Sequence, residues 1–535
     1  MFPKSIPLRT CYAQRRVIHK KYYGPSESES SHAYSRHGSS DARQEITVFN
    51  PATSEPICTV ACASQGDVRY SIQKAQEAFE SGVWSNAPAL TRSEVLSNLA
   101  RILEANIPAL AKVETLQTGR TIREMNAQLG RLPEWLDYFA ALLRTNHSFV
   151  AHTQGKLLNY VHRVPLGVVA QITPFNHPLL IAIKKIAPAL AAGNSVIVKP
   201  SELAPITVLE FAEWATQAGV PPGVLSVLPG FGKTTGRWIV EDRLVRKVDI
   251  TAGTQTGRAL GSIVGANLAS YTAELGGKAP IIVFDDADLI SAVNGAAFAS
   301  FVASGQTCVS GARLLVHDNI YDEFMEMFLE KVESLTRRMG NPFNPQSTMG
   351  TVISPEHLTR IDEMVKRASK TATILTGGER MTGESALDGF DFSRGSFYPP
   401  TVIVDVGIED EIWREEVFGP VVVVKRFMNE SEGVALANSS KYGLGAGIWT
   451  RDLSRAHRVA ANIQSGLCWV NTHHRNDPSS PWGGMKESGI GRENGLEAYA
   501  AYTQSKSTIV NIASVEETRQ NDDWFADSSE ERRYG

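Results

Sequence analysis

Three short stretches carry side chains that suit an attack on a carbonyl group. The run Phe301-Val-Ala-Ser-Gly-Gln-Thr-Cys308 places a cysteine just after a glycine-containing break in an apolar segment, and a thiolate there would be a nucleophile. Glu274-Leu-Gly-Gly-Lys278 sets a carboxylate beside two glycines, so its loop can approach a substrate closely or swing, as a general base must. Thr173-Pro-Phe-Asn176 offers a side-chain amide in a rigid turn, a donor suited to an oxyanion. Each stretch also has an ordinary reading: an inert buried thiol, a solvated glutamate in a flexible turn, an asparagine that merely forms a turn. None of them decides the matter alone.

The elements that must position these groups alternate strand and helix, the pattern of a parallel sheet with helices on its faces. Ser195-Val-Ile-Val-Lys199 reads as a buried strand, Pro200-Ser-Glu202 as a turn, and Leu203, Val208, Leu209, Ala212 and Ala215 as the apolar face of the next helix. Leu225-Ser-Val-Leu228, Arg246-Lys-Val-Asp-Ile250 and Ala279-Pro-Ile-Ile-Val-Phe284 read as further strands. Each ends in polar or glycine-rich residues, where open α/β sheets bind ligands. Gly253-Thr-Gln-Thr-Gly257 lies between a strand and a helix expected to begin at Arg258, a place where backbone N–H groups can meet a pyrophosphate. Gly230-Phe-Gly-Lys-Thr-Thr-Gly236 fails as a phosphate loop because Val227 stands where that loop needs glycine, and fails the dinucleotide fingerprint at Thr235. A second α/β region begins near Lys278, and 342–400 is expected to break into short helices and loops.

Composition narrows the class. The chain has 535 residues, 42% hydrophobic and 21% charged, enough for at least two cores. It holds no apolar run approaching the roughly 18 residues that would suggest a membrane span. The formal net charge of -4 is spread in mixed signs, which gives nucleic acid no basic face. Five scattered cysteines, Cys11, Cys58, Cys62, Cys308 and Cys468, form neither a disulfide framework nor a zinc set, and no metal site is expected. Cys58 and Cys62 should face one side of a strand. Before Glu27 the N-terminus carries Lys4, Arg9, Arg15, Arg16, Lys20 and Lys21 and no acid. Residues 1–41 read as a mitochondrial presequence, which would place the protein in the matrix, or as a disordered basic tail on a cytoplasmic one. Residues 514–535 read as a solvated acidic tail.

Taken in order, Thr173-Pro-Phe-Asn176, Lys199-Pro-Ser-Glu202, Glu274-Leu-Gly-Gly-Lys278, Gly305-Gln-Thr-Cys308, Glu415-Glu-Val-Phe-Gly-Pro420 and Pro481-Trp-Gly-Gly-Met-Lys486 resemble the motif series of the aldehyde dehydrogenase superfamily over about residues 44–513. The resemblance implies NAD-dependent oxidation of an aldehyde to its acid. Cys308 would form a thiohemiacetal, Asn176 and the Cys308 N–H would hold the oxyanion, and Glu274 would activate water against the thioester. Lys185 and Glu493 would serve a proton path. Thr173, Pro174, Lys199, Glu202, Gly253, Thr254, Gly257, Leu275, Glu416 and Phe418 would bind the cofactor, and the acid at Glu202 favours NAD over NADP. Ala252 departs from the family's usual glycine in the pyrophosphate turn. The implied α/β fold has a Rossmann-type cofactor domain over 42–147 and 166–277, a catalytic domain over 278–487, and an oligomerisation element over 148–165 and 498–513. That element would join subunits into a homodimer or homotetramer.

The substrate is an aldehyde of small-molecule size, and Ile181, His474, Arg475 and Trp482 are the candidates for touching it. His473-His-Arg-Asn-Asp-Pro-Ser-Ser480 is strongly polar, so Arg475 with His473 or His474 could bind a carboxylate or phenolic oxygen; the other reading turns these side chains to solvent or to a neighbouring subunit. Lys184 stands where relatives place a bulky aromatic, and no clear aromatic cage for a quaternary ammonium is visible. A CoA-acylating semialdehyde dehydrogenase is disfavoured by Glu274, and a silent NAD-binding scaffold by the joint presence of Cys308, Glu274 and Asn176. A thiol hydrolase is the remaining alternative.

Overall fold

The computed structural model describes residues 44–145, 147–521, 524 and 525; the basic N-terminal segment lies outside them. Its first sheet runs, in spatial order, Gly489–Ile490, Ser270–Glu274, Val245–Thr251, Val168–Ile172, Ser195–Lys199 and Leu225–Val227. All pairings are parallel save that of the two-residue Gly489–Ile490 edge. The strands Val168–Ile172 and Ser195–Lys199 are buried at every position, so their apolar residues run consecutively rather than alternating. Register pairs Ile172 with Lys199 and Ile250, and Thr251 with Glu274. The carboxyl ends of four strands therefore share one edge, and Thr173, Lys199, Ala252 and Glu274 emerge there together.

The second sheet has the order Thr373–Thr376, Thr401–Val404, Val421–Phe427, Arg313–His317, Pro280–Val283, Gly445–Trp449, Leu467–Val470, parallel except at Thr373–Thr376. Separate apolar clusters fill its two faces, one around Phe324, Phe328 and Phe397, the other around Ile361, Trp413 and Val423. A third, antiparallel sheet joins Thr503–Asn511, Leu157–Pro165 and Phe149–Ala151, and it leaves Phe149, Val150, Leu158, Ile509 and Val510 exposed.

Four local expectations are corrected. The helix after Ser195–Lys199 starts only at Ile206, so Leu203 sits exposed in the turn. The helix expected from Arg258 is Thr254–Ala266, with Gly253 as a cap that supplies no side chain; the Gly-Thr-Gln-Thr-Gly run is thus its first turn, and its leading N–H groups stay open. Within 342–400, Pro355–Ala368 is a regular helix opened by the Ser354 side chain and by proline in its first turn. The tail after 514 begins as the helix Val515–Asn521, whose Glu517 pairs with Lys156 at 2.5 Å. Cys58 and Cys62 are both buried in one apolar cluster with Val48, Val60 and Ile206. Among the described residues no group of histidine, cysteine and acid side chains could hold a metal, and no helix is long and apolar enough to cross a membrane.

Candidate active site

The thiol arrives on a strained turn. After the helix Leu289–Phe301 the chain passes Ala303 and Ser304 at φ 55° and Gly305 at φ 69°, three successive left-handed residues of which only glycine is at ease there. Outside contacts hold the turn. Glu124 Oε1 accepts the Ala303 N–H at 2.8 Å, and a Cβ on Gly305 would stand 2.0 Å from the Gly419 carbonyl oxygen. The Gln306 side chain donates to the Ala303 and Thr351 carbonyls and accepts the Ile353 N–H. Cys308 emerges partly exposed, packed against the cluster of Val309, Leu444, Trp469 and Trp482. Burial pushes its thiol up to about 12, assisted by the carboxylates of Glu416 and Glu274.

Glu274 ends its strand at the shared edge. Both carboxylate oxygens are buried and make no hydrogen bond. Burial raises its pKa well above the usual carboxylate value; Glu493 and Asp249 add to the rise, while Lys184 and Lys185 oppose it. The glycines after it permit close approach: a Cβ on Gly277 would lie 2.0 Å from the Cys308 carbonyl oxygen, and one on Gly276 would lie 2.7 Å from Glu416 Oε2. The Gly277 N–H donates to Glu416 Oε1 at 2.9 Å. Gly277→Ala is therefore expected to cost roughly 1–3 kcal/mol of stability, lowering the thermal-unfolding midpoint and most of the activity together; an unchanged midpoint with full activity would contradict the contact.

Asn176 stands just before the helix Pro178–Ala191. Its Nδ2 donates to the Gln306 carbonyl, two residues before the thiol, at 2.8 Å. The helix start is held by Glu114, whose Oε1 accepts the Leu179 N–H and the Thr207 hydroxyl. Further along, Lys184 Nζ lies 2.7 Å from Glu493 Oε2 and Lys185 Nζ lies 2.5 Å from Glu493 Oε1. Lys185 also donates to Asp249, which accepts the Tyr502 hydroxyl at 2.6 Å. Two lysines and two acids thus balance, and Glu274 is the acid left without a partner.

A family model for the aldehyde dehydrogenase family matches residues 37–508. The chain belongs to the aldehyde dehydrogenase family. An aldehyde dehydrogenase structure from Burkholderia cenocepacia is 41% identical with a TM-score of 0.85, over 88% of this chain and 94% of that one. PnpE from Pseudomonas sp. WBC-3 is 39% identical with a TM-score of 0.84, over 88% and 95%. Betaine aldehyde dehydrogenase from Staphylococcus aureus, solved with NAD+, is 36% identical with a TM-score of 0.85, over 88% and 92%.

In this aldehyde dehydrogenase the residues named for the cofactor gather at the sheet edge and across from it. The Thr173 hydroxyl is buried without a hydrogen-bond partner, and Pro174 and Phe175 follow it. Phe418, at φ 54°, meets Phe175 edge-on with ring centroids 5.8 Å apart, so the second sheet's loop reaches the turn that carries Asn176. Lys199 Nζ is paired with Glu202 at 2.9 Å. Gly257 lets its helix close on Leu275, which lies 2.4 Å from where a Cβ would be. Gly236, in the segment that fails both nucleotide-loop patterns, lies against the Lys199 side chain.

The substrate-side residues divide. His474 and Trp482 come together beside the thiol's cluster, their rings 6.0 Å apart, while Ile181 is buried on the helix Pro178–Ala191. Arg475 does not join them: its side chain is exposed and its Nε donates to Thr472. His473 is a buried support whose Nε2 bonds the Val309 carbonyl at 2.7 Å. Near the thiol the Trp469 ring lies 4.7 Å from that of His473 and 6.0 Å from that of Trp482. The face of Trp482 is already taken by Lys184 Nζ, 4.7 Å from its centroid. Sequence reasoning missed His177 and Arg120, joined at 2.7 Å beside Asn176; the available signal was that His177 directly follows the oxyanion amide.

Proposed function

We propose that this family member, which oxidises an aldehyde to its acid, does so through Cys308 with NAD as hydride acceptor. Attack of the Cys308 thiolate on the aldehyde forms a thiohemiacetal, whose oxyanion receives N–H bonds from Asn176 and the Cys308 backbone. Loss of hydride to the nicotinamide leaves a thioester, and Glu274 takes a proton from the water that hydrolyses it. The observation that carries this reading is Glu274 itself: both oxygens are buried and unpartnered, while its own loop touches the backbone of Cys308. Lys185 and Glu493 form the proton path from it. Formation of NADH with an aldehyde panel tests the reading, and an enzyme that makes none with any member would revive the silent scaffold.

For the cofactor, Thr173, Lys199, Glu202, Gly253, Thr254, Gly257, Leu275, Glu416 and Phe418 hold NAD, the open helix start at Gly253 meeting the pyrophosphate. Relatives solved with nicotinamide adenine dinucleotide support this. Glu202 pairs with Lys199, and an acid at this position would repel a 2′-phosphate, so Glu202→Ser is expected to raise kcat/KM with NADP by about 10-fold or more while lowering it with NAD. Steady-state rates with both cofactors check this.

The Lys184 ammonium over Trp482 disfavours a quaternary ammonium substrate. The exposed apolar edge at Phe149 and Val150 supports pairing with a second subunit, as a homodimer or homotetramer. The basic N-terminus supports import into the mitochondrial matrix.

A further inference from the structure

His177 occupies the residue after Asn176, at the start of the helix Pro178–Ala191, and is 5% exposed. The Arg120 guanidinium meets its Nδ1 at 2.7 Å, and the Gln128 side-chain amide sits beside the same nitrogen, its Nε2 at 2.9 Å and its Oε1 at 3.3 Å. Arginine has donors only and stays charged. Nδ1 must therefore be the acceptor, and the ring must be neutral with its proton on Nε2. Arg120 is held for this task, since it also donates to the Asn176 carbonyl at 3.3 Å and to Gln128 Oε1 at 3.0 Å, and lies 3.5 Å from Glu124. Burial and the charge of Arg120 both lower the pKa of His177 far below the usual histidine value.

The consequence is a buried N–H with nothing to bond. Nε2 has no partner, and such a group is unfavourable unless something supplies an acceptor. Rings near the thiol's cluster stand beside it: His474 lies 6.1 Å away edge-on, and His474 in turn meets Trp482. The preceding residue, Asn176, bonds the loop of the thiol, and Trp482, which His474 meets, belongs to the cluster against which Cys308 packs.

We propose that His177 Nε2–H donates a hydrogen bond to an oxygen on the substrate chain, so that the enzyme selects aldehydes carrying a keto, hydroxyl or carboxylate oxygen over plain alkyl and aryl ones. The inference rests on the aldehyde-oxidation reading and narrows its substrate class. A site that offers a buried donor penalises an analogue lacking the acceptor.

The test compares kcat/KM across two matched series: succinic semialdehyde, the methyl ketone of the same skeleton and its isopropyl analogue; and para-hydroxybenzaldehyde with para-tolualdehyde. Wild type is expected to favour the oxygen-bearing members of at least one series by about 10- to 100-fold. His177→Phe should erase that ratio, and His177→Gln, which keeps an N–H donor, should restore part of it. Preference for the ketone as well as the semialdehyde marks a neutral acceptor; preference for the semialdehyde alone marks a carboxylate. Wild type without preference in both series, or a preference that survives His177→Phe, overturns the proposal. An enzyme active on none of the five aldehydes overturns the oxidation reading instead.

Discussion

Cys308→Ala is expected to abolish NADH formation, with kcat falling by about 10⁴-fold or more, since the proposed thioester forms on its sulfur. The loss should be complete in the first turnover as well as in steady state, because hydride leaves only after the sulfur has bonded to carbon. Folding should survive: Cys308 is partly exposed, and its small side chain lies at the border of the Trp469 and Trp482 cluster. Stopped-flow absorbance of reduced nicotinamide on the folded variant is the measurement. A residual burst of NADH would show that another nucleophile acts.

Glu274→Gln should fail differently. Attack and hydride transfer can still occur, so one equivalent of NADH per site should form in a burst, after which turnover slows by about 10²- to 10⁴-fold for want of a base. The pH dependence has a definite sign. In the fold the Glu274 carboxyl keeps its proton above its ordinary value because of burial and the charges of Glu493 and Asp249, so the hydrolytic step should quicken as pH rises through that elevated pKa; the glutamine variant should lose this limb. Stability runs the other way. Between the unfolded and folded pKa the native state holds a proton that the unfolded chain does not, so its stability declines as pH climbs through that window. The glutamine variant should therefore melt higher than wild type at neutral to alkaline pH. Quench-flow and thermal unfolding across pH test both signs, and a variant that lacks the burst would move Glu274 to the attack step.

The sequence made the thiol, the acid and the amide legible because each sits in a short motif, and six motifs in order constrain one another. It also made the buried strand Ser195–Lys199 legible, since its central Val-Ile-Val is apolar on both faces. What it concealed depends on contacts between distant residues. Nothing near His177 in the chain announces Arg120, and nothing in the polar loop announces that His474 turns inward while Arg475 turns out. The start of Thr254–Ala266 was hidden by Thr-Gln-Thr, whose threonines are weak helix formers, at an end that has no side-chain cap. Nothing in the sequence pairs Lys184 with Glu493, which lies 309 positions later in the chain.

The left-handed turn at Ala303, Ser304 and Gly305 bears on how the nucleophile comes into being. Two non-glycine residues in that region cost of order 1–3 kcal/mol each, and the local sequence has no preference for such a shape. What holds it comes from elsewhere in the chain: Glu124, Gly419, Thr351 and Ile353. A ribosome-bound fragment or a half-denatured molecule would therefore possess the cysteine without the presented thiol. Chemical competence is thereby tied to completed assembly of both halves, and an immature chain carries no reactive site into a crowded cell.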